Sequence, residues 1–128
     1  MEMSRSDLPL PLEGMRILVV EDDPIIAIDM EATLVRAGAE VIGPVSYLPK
    51  AFEVATHQIL SAAMLDVRLG DQSVEPAAQL LAARGIPIVF YTGQSLPFPI
   101  QRNWPRSITL YKPATTDAII DAIQRLVM

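Results

Sequence analysis

The sequence predicts an α/β fold: a doubly wound, five-stranded parallel sheet with helices on both faces. Three observations predict it. Short apolar runs alternate with helix-like segments along the chain. The runs are continuously apolar, as strands buried on both sides are. They also stop abruptly at an acid, a hydroxyl or a lysine. In such a sheet these stops all lie on one edge, outside the carboxyl ends of the strands.

The elements follow in order. Arg16-Ile17-Leu18-Val19-Val20 is a first strand that ends in Glu21-Asp22-Asp23. Pro24 opens a helix at its first turn, with Asp22 or Asp23 near the cap. Ile26, Met30, Leu34 and Ala37 recur on it at helical spacing, and Gly38 stops it. Glu40 to Gly43 is a short second strand. A second helix runs from Pro49 to about Leu60, with Ala51, Val54 and Ala55 inward and Gln58 as a further candidate. Ala62-Ala63-Met64-Leu65 is a third strand that ends at Asp66, and Leu69-Gly70-Asp71 is a turn. Pro76 to Arg84 is a third helix closed by Gly85. Ile86 to Tyr91 is a fourth strand ending at Thr92-Gly93. Residues 94–106 hold Pro97, Pro99 and Pro105, so the fourth helix is expected to be short, irregular or displaced. Ser107 to Tyr111 is the fifth strand and ends at Lys112-Pro113. Thr115 or Thr116 caps a last helix, Asp117 to Val127, with Ile119, Ile120, Ile123 and Leu126 as its apolar side.

A chain of 128 residues fits one domain with one core, placed at residues 15–128. Residues 1–14, polar and Pro-containing, read as a flexible lead-in. Without cysteine, disulfides and thiolate metal sites are excluded, and a reducing cytoplasm is the expected compartment. A net charge of -5 argues against a nucleic-acid surface, which is usually basic. No apolar run approaches the roughly 20 residues a membrane span needs.

The polar strand ends therefore converge: Glu21, Asp22 and Asp23, then Asp66, Thr92 and Lys112. Carboxylates gathered this closely repel one another, so positive charge must share the site. Lys112 supplies one charge, and a hard divalent cation on oxygen ligands is the natural second, with Mg²⁺ favoured. The set suits phosphoryl transfer onto a carboxylate. An Asp can form an acyl phosphate, and the remaining work is positioning and neutralising charge on the phosphoryl oxygens.

ILVVEDDP at 17–24, MLDVRLGD at 64–71, IVFYTG at 88–93 and LYKP at 110–113 resemble the four signature segments of response-regulator receiver domains. They occur in order, and the resemblance spans about residues 15–127. It implies a flavodoxin-like sheet of order 2-1-3-4-5. It implies Asp66 as the phosphoacceptor, with Asp22 a direct Mg²⁺ ligand and Glu21 acting on the metal directly or through water. Asp66 and the backbone carbonyl of Arg68 would complete the protein ligands. Thr92 is the implied switch hydroxyl, Lys112 the contact to the phosphoryl group, and the Lys112-Pro113 bond is implied to be cis.

Two positions depart from the common pattern. Thr109 stands where the family usually has an aromatic whose rotamer reports phosphorylation, and Gly93 stands where Ala is common. The Phe-x-Thr-Gly run at 90–93 is similar to an atypical receiver subgroup that lacks that aromatic. The Pro-rich stretch, residues 93–108, is then expected to carry the switch. Other residues read as structure: Asp23 as a helix cap, His57 as a surface residue, Trp104 as a loop anchor, Tyr91 and Tyr111 as packing.

The expected function is a phosphoacceptor module, modified by a sensor histidine kinase or phosphotransfer protein and switching protein–protein interactions. A phosphorylation-dependent dimer is a further expectation. Neither DNA binding nor an output enzyme is expected of this chain. Two alternatives compete: a pseudo-receiver that binds partners without phosphorylation, and a small metal-dependent phosphohydrolase. The latter class carries its Asp nucleophile after strand one in an Asp-x-Asp pattern, whereas Glu21-Asp22-Asp23 begins with Glu.

Overall fold

The computed structural model describes residues 8–93 and 102–127. Seven strands and four helices are defined there: β1 (Arg16–Val20), α1 (Pro24–Arg36), β2 (Glu40–Val45), α2 (Leu48–His57), β3 (Ala62–Leu65), β4 (Arg68–Leu69), β5 (Gln72–Ser73), α3 (Glu75–Ala83), β6 (Ile88–Thr92), β7 (Ile108–Tyr111) and α4 (Thr116–Val127). Five strands form one sheet in the order β2-β1-β3-β6-β7, all parallel. Counting only these five, the order is the expected 2-1-3-4-5.

The side-chain period of two divides each buried strand between two cores. Leu18, Leu65 and Phe90 face α2 and α3, where they meet Val54, Ala78 and Leu81. Val19, Met64 and Val89 face α1 and α4, where they meet Met30, Leu34 and Ile123. Burial on both faces is why these strands read as unbroken apolar runs.

Asp23 caps α1, its carboxylate accepting from the Ile25 and Ile26 N–H groups at 2.9 and 3.3 Å. Gly38 ends that helix at φ +101°, a conformation L side chains rarely adopt. A Cβ there would also come within 2.8 Å of Leu10 Cβ.

That contact brings the segment before β1 against the end of α1. Residues 1–7 lie outside the described residues, and within the expected lead-in residues 11–12 make contacts with the folded domain. Leu12 is fully buried among the residues packed on α1 and α4, its N–H donates to the Ala37 carbonyl at 2.8 Å, and the Gln124 side chain donates to the Pro11 carbonyl. Burying one leucine contributes about 2 kcal/mol toward these contacts.

Smaller differences follow from position. Gln58 is exposed rather than inward, because α2 stops at His57 and Gln58 forms its cap. The predicted turn at Leu69-Gly70-Asp71 is the tip of a two-stranded ladder, β4 with β5. Tyr111 does not pack; it is 54% exposed at the end of the edge strand β7. Tyr91 is buried, and His57 is at the surface.

The irregular fourth helix and the switch expected at 93–108 fall largely on residues 94–101, which lie outside the described residues. Trp104, just beyond them, is an anchor. Its ring meets Phe90 edge-on at 6.0 Å and its indole N–H donates to the Ala78 carbonyl at 3.3 Å. Among the described residues no helix is long and apolar enough to cross a membrane.

Candidate functional site

The parallel register brings the strand ends together. The Asp66 N–H donates to the Val20 carbonyl at 2.9 Å, the Glu21 N–H to Val45, and the Lys112 N–H to Thr92 at 2.8 Å. Each backbone bond extends the sheet by one residue, and each extension delivers a polar side chain to the same edge.

Glu21 is almost fully buried. Its Oε2 accepts from the Asp23 N–H at 3.1 Å. Its Oε1 lies 2.6 Å from Lys112 Nζ, a close ion pair. Lys112 Nζ also donates to Asp66 Oδ2 at 2.8 Å. Asp22 is exposed and accepts the Gly70 N–H at 2.8 Å, which ties the β4–β5 turn to the cluster. Gly70 reaches this geometry at φ +65°, in the left-handed region open to glycine. Thr92 is buried as the last residue of β6, with Tyr111 as its register partner. Arg68 opens β4 two residues after Asp66, its guanidinium donating to the Asp71 carbonyl at 3.3 Å. The Lys112-Pro113 bond is cis.

Electrostatics at this edge are unbalanced. Three carboxylates gather around one ammonium, and oxygens of Glu21, Asp22 and Asp66 lie within 4.8 Å of one another. Burial pushes the Glu21 carboxyl up from 4.5 to about 7; Lys112 and the Asp23 N–H oppose this, and the Asp66 charge adds to it. Burial pulls Lys112 down, but its bonds to Asp66 and Glu21 outweigh burial, and the net is upward. A hard cation fits this edge: oxygens of three carboxylates stand within 4.8 Å of one another, and one ammonium pairs with only two of them.

Sequence reasoning thus named the residues that converge, and the structure brings Glu21, Asp22, Asp66, Thr92 and Lys112 to one edge. It missed two. Gly70 read only as a turn residue, though its N–H orients Asp22. Tyr91 read only as packing, though its ring lies 5.7 Å from Lys112 Nζ and its hydroxyl accepts the Ala114 N–H at 3.1 Å. Its place immediately before Thr92 was the one available signal.

A five-stranded parallel sheet of this order, with acids, a hydroxyl and a lysine at its carboxyl edge, defines a class of signalling domain. The chain belongs to the receiver-domain family of response regulators. It is similar to a response regulator receiver protein from Sinorhizobium medicae (29% identity, TM-score 0.81, covering 91% of this chain and 96% of that one). It is also similar to the receiver domain of the sensor histidine kinase PA1611 from Pseudomonas aeruginosa, solved with a magnesium ion in its active-site cleft (27% identity, TM-score 0.76, covering 89% and 98%). A curated relative, the phyllosphere-induced regulator PhyR of Methylorubrum extorquens, is 30% identical over 110 residues. That match takes in 81% of this chain but only 41% of the relative, so the chain spans about two-fifths of its length. No family model matches the sequence.

Proposed function

We propose that the chain is a phosphoacceptor switch in which Asp66 takes a phosphoryl group from a phosphohistidine donor. The observation that carries this reading is the placement of Lys112 Nζ, 2.8 Å from Asp66 Oδ2 and 2.6 Å from Glu21 Oε1, at the mouth of the acidic cluster. Asp66 is partly open to solvent and so can be reached. Its carboxylate oxygen forms the new P–O bond while the P–N bond to the donor breaks, and the departing imidazole takes up a proton. Lys112 turns from the carboxylate to a phosphoryl oxygen, and the Thr92 hydroxyl stabilises another. Glu21, Asp22, Asp66 and the Arg68 carbonyl would hold Mg²⁺, which when bound supplies charge neutralisation for the phosphoryl oxygens.

The donor is a sensor histidine kinase or a phosphotransfer protein. Ile25 and Ile28, 79% and 67% exposed one turn apart on α1, give it an apolar surface beside the site. On this reading the protein works in the cytoplasm, turns over no separate substrate, and signals by changing its affinity for a protein partner.

Acetyl phosphate or phosphoramidate with Mg²⁺ tests the assignment, followed by intact mass spectrometry. Wild type gains one phosphoryl group and Asp66→Asn gains none. An equal gain in both variants would sink the assignment. A wild type that gains none would favour a phosphorylation-independent interaction module.

A further inference from the structure

Lys112 has four rotatable carbons and three strongly hydrated donors, so left to itself it would sample many positions. Beside it opens a cavity of about 420 Å³ lined by Ile25, Ile26, Asp29, Tyr91, Lys112 and Pro113. The ammonium could swing into that space. A group that must meet charge as it develops has to be ordered beforehand, because reorganisation during the reaction costs rate.

Tyr91 closes off that freedom from two directions. It is the penultimate residue of β6 and only 5% exposed. Its ring centroid is 5.7 Å from Lys112 Nζ, inside the roughly 6 Å range of cation–π attraction. Its hydroxyl accepts the Ala114 N–H at 3.1 Å. The N–H of Lys112 is already bonded to the Thr92 carbonyl at 2.8 Å. Two consecutive residues of β6 therefore fix the chain on either side of Pro113, Thr92 before it and Tyr91 after it.

We propose that Tyr91 is a positioning residue for Lys112, its ring and hydroxyl together holding the ammonium at the site when the phosphoryl group arrives. The proposal rests on the phosphoacceptor reading of Asp66 but concerns a residue that reading does not use. Tyr91 touches no reacting atom and acts through Lys112. Its ring face gives the ammonium a second stabilising surface as it turns from Asp66 and Glu21 to a phosphoryl oxygen.

The sequence makes the test clean, because it contains two lysines, Lys50 and Lys112. Lys50 is 46% exposed on α2 and serves as the internal control. In protein labelled with ¹³C,¹⁵N-lysine, the wild-type Lys112 ε-methylene signal is displaced from that of Lys50 by the ring current of Tyr91. Tyr91→Phe keeps this displacement but lets the Ala114 amide exchange faster, and it slows labelling by acetyl phosphate about threefold, a lost neutral hydrogen bond. Tyr91→Leu removes the displacement and slows labelling roughly tenfold at saturating acetyl phosphate, a lost cation–π contact and hydrogen bond together. Half-saturation by acetyl phosphate stays put in both variants, because Tyr91 does not touch the donor.

A wild-type Lys112 signal that coincides with Lys50 overturns the proposal. So does wild-type labelling by either folded variant. If Tyr91→Leu fails to fold, the wild-type spectrum and Tyr91→Phe decide alone. If the wild type takes up no phosphoryl group, the phosphoacceptor reading fails, and the lysine spectra still decide whether Tyr91 positions Lys112.

Discussion

The two edges of the sheet handle charge in opposite ways. At the amino edge, two arginines are matched to oxygens that need them. Arg16 pairs with Glu40 and also donates to the Ile59 carbonyl and the Gln58 side chain. Arg84 donates to the Ala55 and Gln58 carbonyls, closing the end of α2. At the carboxyl edge, three carboxylates gather while one lysine pairs with two of them, and burial pushes the Glu21 carboxyl up to about 7. One edge satisfies its polar groups and holds the fold. The other leaves negative charge in excess of its one lysine, which suits it to a cation.

The sharpest way to break this contrast is to delete one cation at each edge. Lys112→Met should lower acetyl phosphate labelling about 100-fold, the usual loss when a preorganised charge at a transferring group is removed. Arg84→Ala should leave the labelling rate of folded protein unchanged and cost about 1–3 kcal/mol of stability, as two hydrogen bonds to carbonyls are lost. Mass spectrometry and urea unfolding read the two outcomes. Comparable slowing by both variants would erase the distinction between the edges.

A second test concerns pH in excess chelator. Glu21 has a folded-state pKa of about 7 against 4.5 ordinarily. The folded form therefore holds its proton more tightly than the unfolded form. Stability is favoured below about 4.5 and lost progressively as pH rises through 7, by up to about 3 kcal/mol. Lys112, raised rather than lowered, stays charged across that window. Urea unfolding of wild type should weaken between pH 5 and 8, and Glu21→Gln should flatten that slope. Parallel slopes in the two proteins would refute the cause given.

The smallest effect separates neighbours. Asp23→Ala should cost about 1 kcal/mol, a lost helix cap, and leave Mg²⁺ affinity nearly intact. Asp22→Ala should do the reverse, cutting Mg²⁺ affinity at least tenfold by calorimetry, in line with a lost ligand. Equal losses of affinity would contradict the split between cap and ligand.

The carboxyl edge was legible in the sequence because strand ends are abrupt. Val20, Leu65 and Tyr91 are apolar or aromatic, and a polar residue follows each within one position. The amino edge was not, because its contacts depend on which strands neighbour which. Arg16 reaches Gln58 across 42 residues, and no periodicity carries that information. Leu12 was hidden for a related reason. It sits between Pro11 and Glu13 with no repeating pattern, and only the finished surface of α1 and α4 gives it a socket. Tyr111 was misread because a β-rich run looks alike at the centre and the edge of a sheet. The β4–β5 ladder has two residues on each side, too short for an alternation to show.

The strand order has a consequence for the order of assembly. β1 lies inside the sheet and pairs with β2 and β3, so the first half of the chain can form a three-stranded kernel around it. Lys112 follows β7, the edge strand latest in sequence, and meets Asp66 across 46 residues. Such long-range closure is slow compared with local helix formation. A molecule with β7 undocked would hold the acidic cluster but lack the ammonium. On the proposed function, then, a half-assembled chain would stay silent until the strand that leads into Lys112 is home.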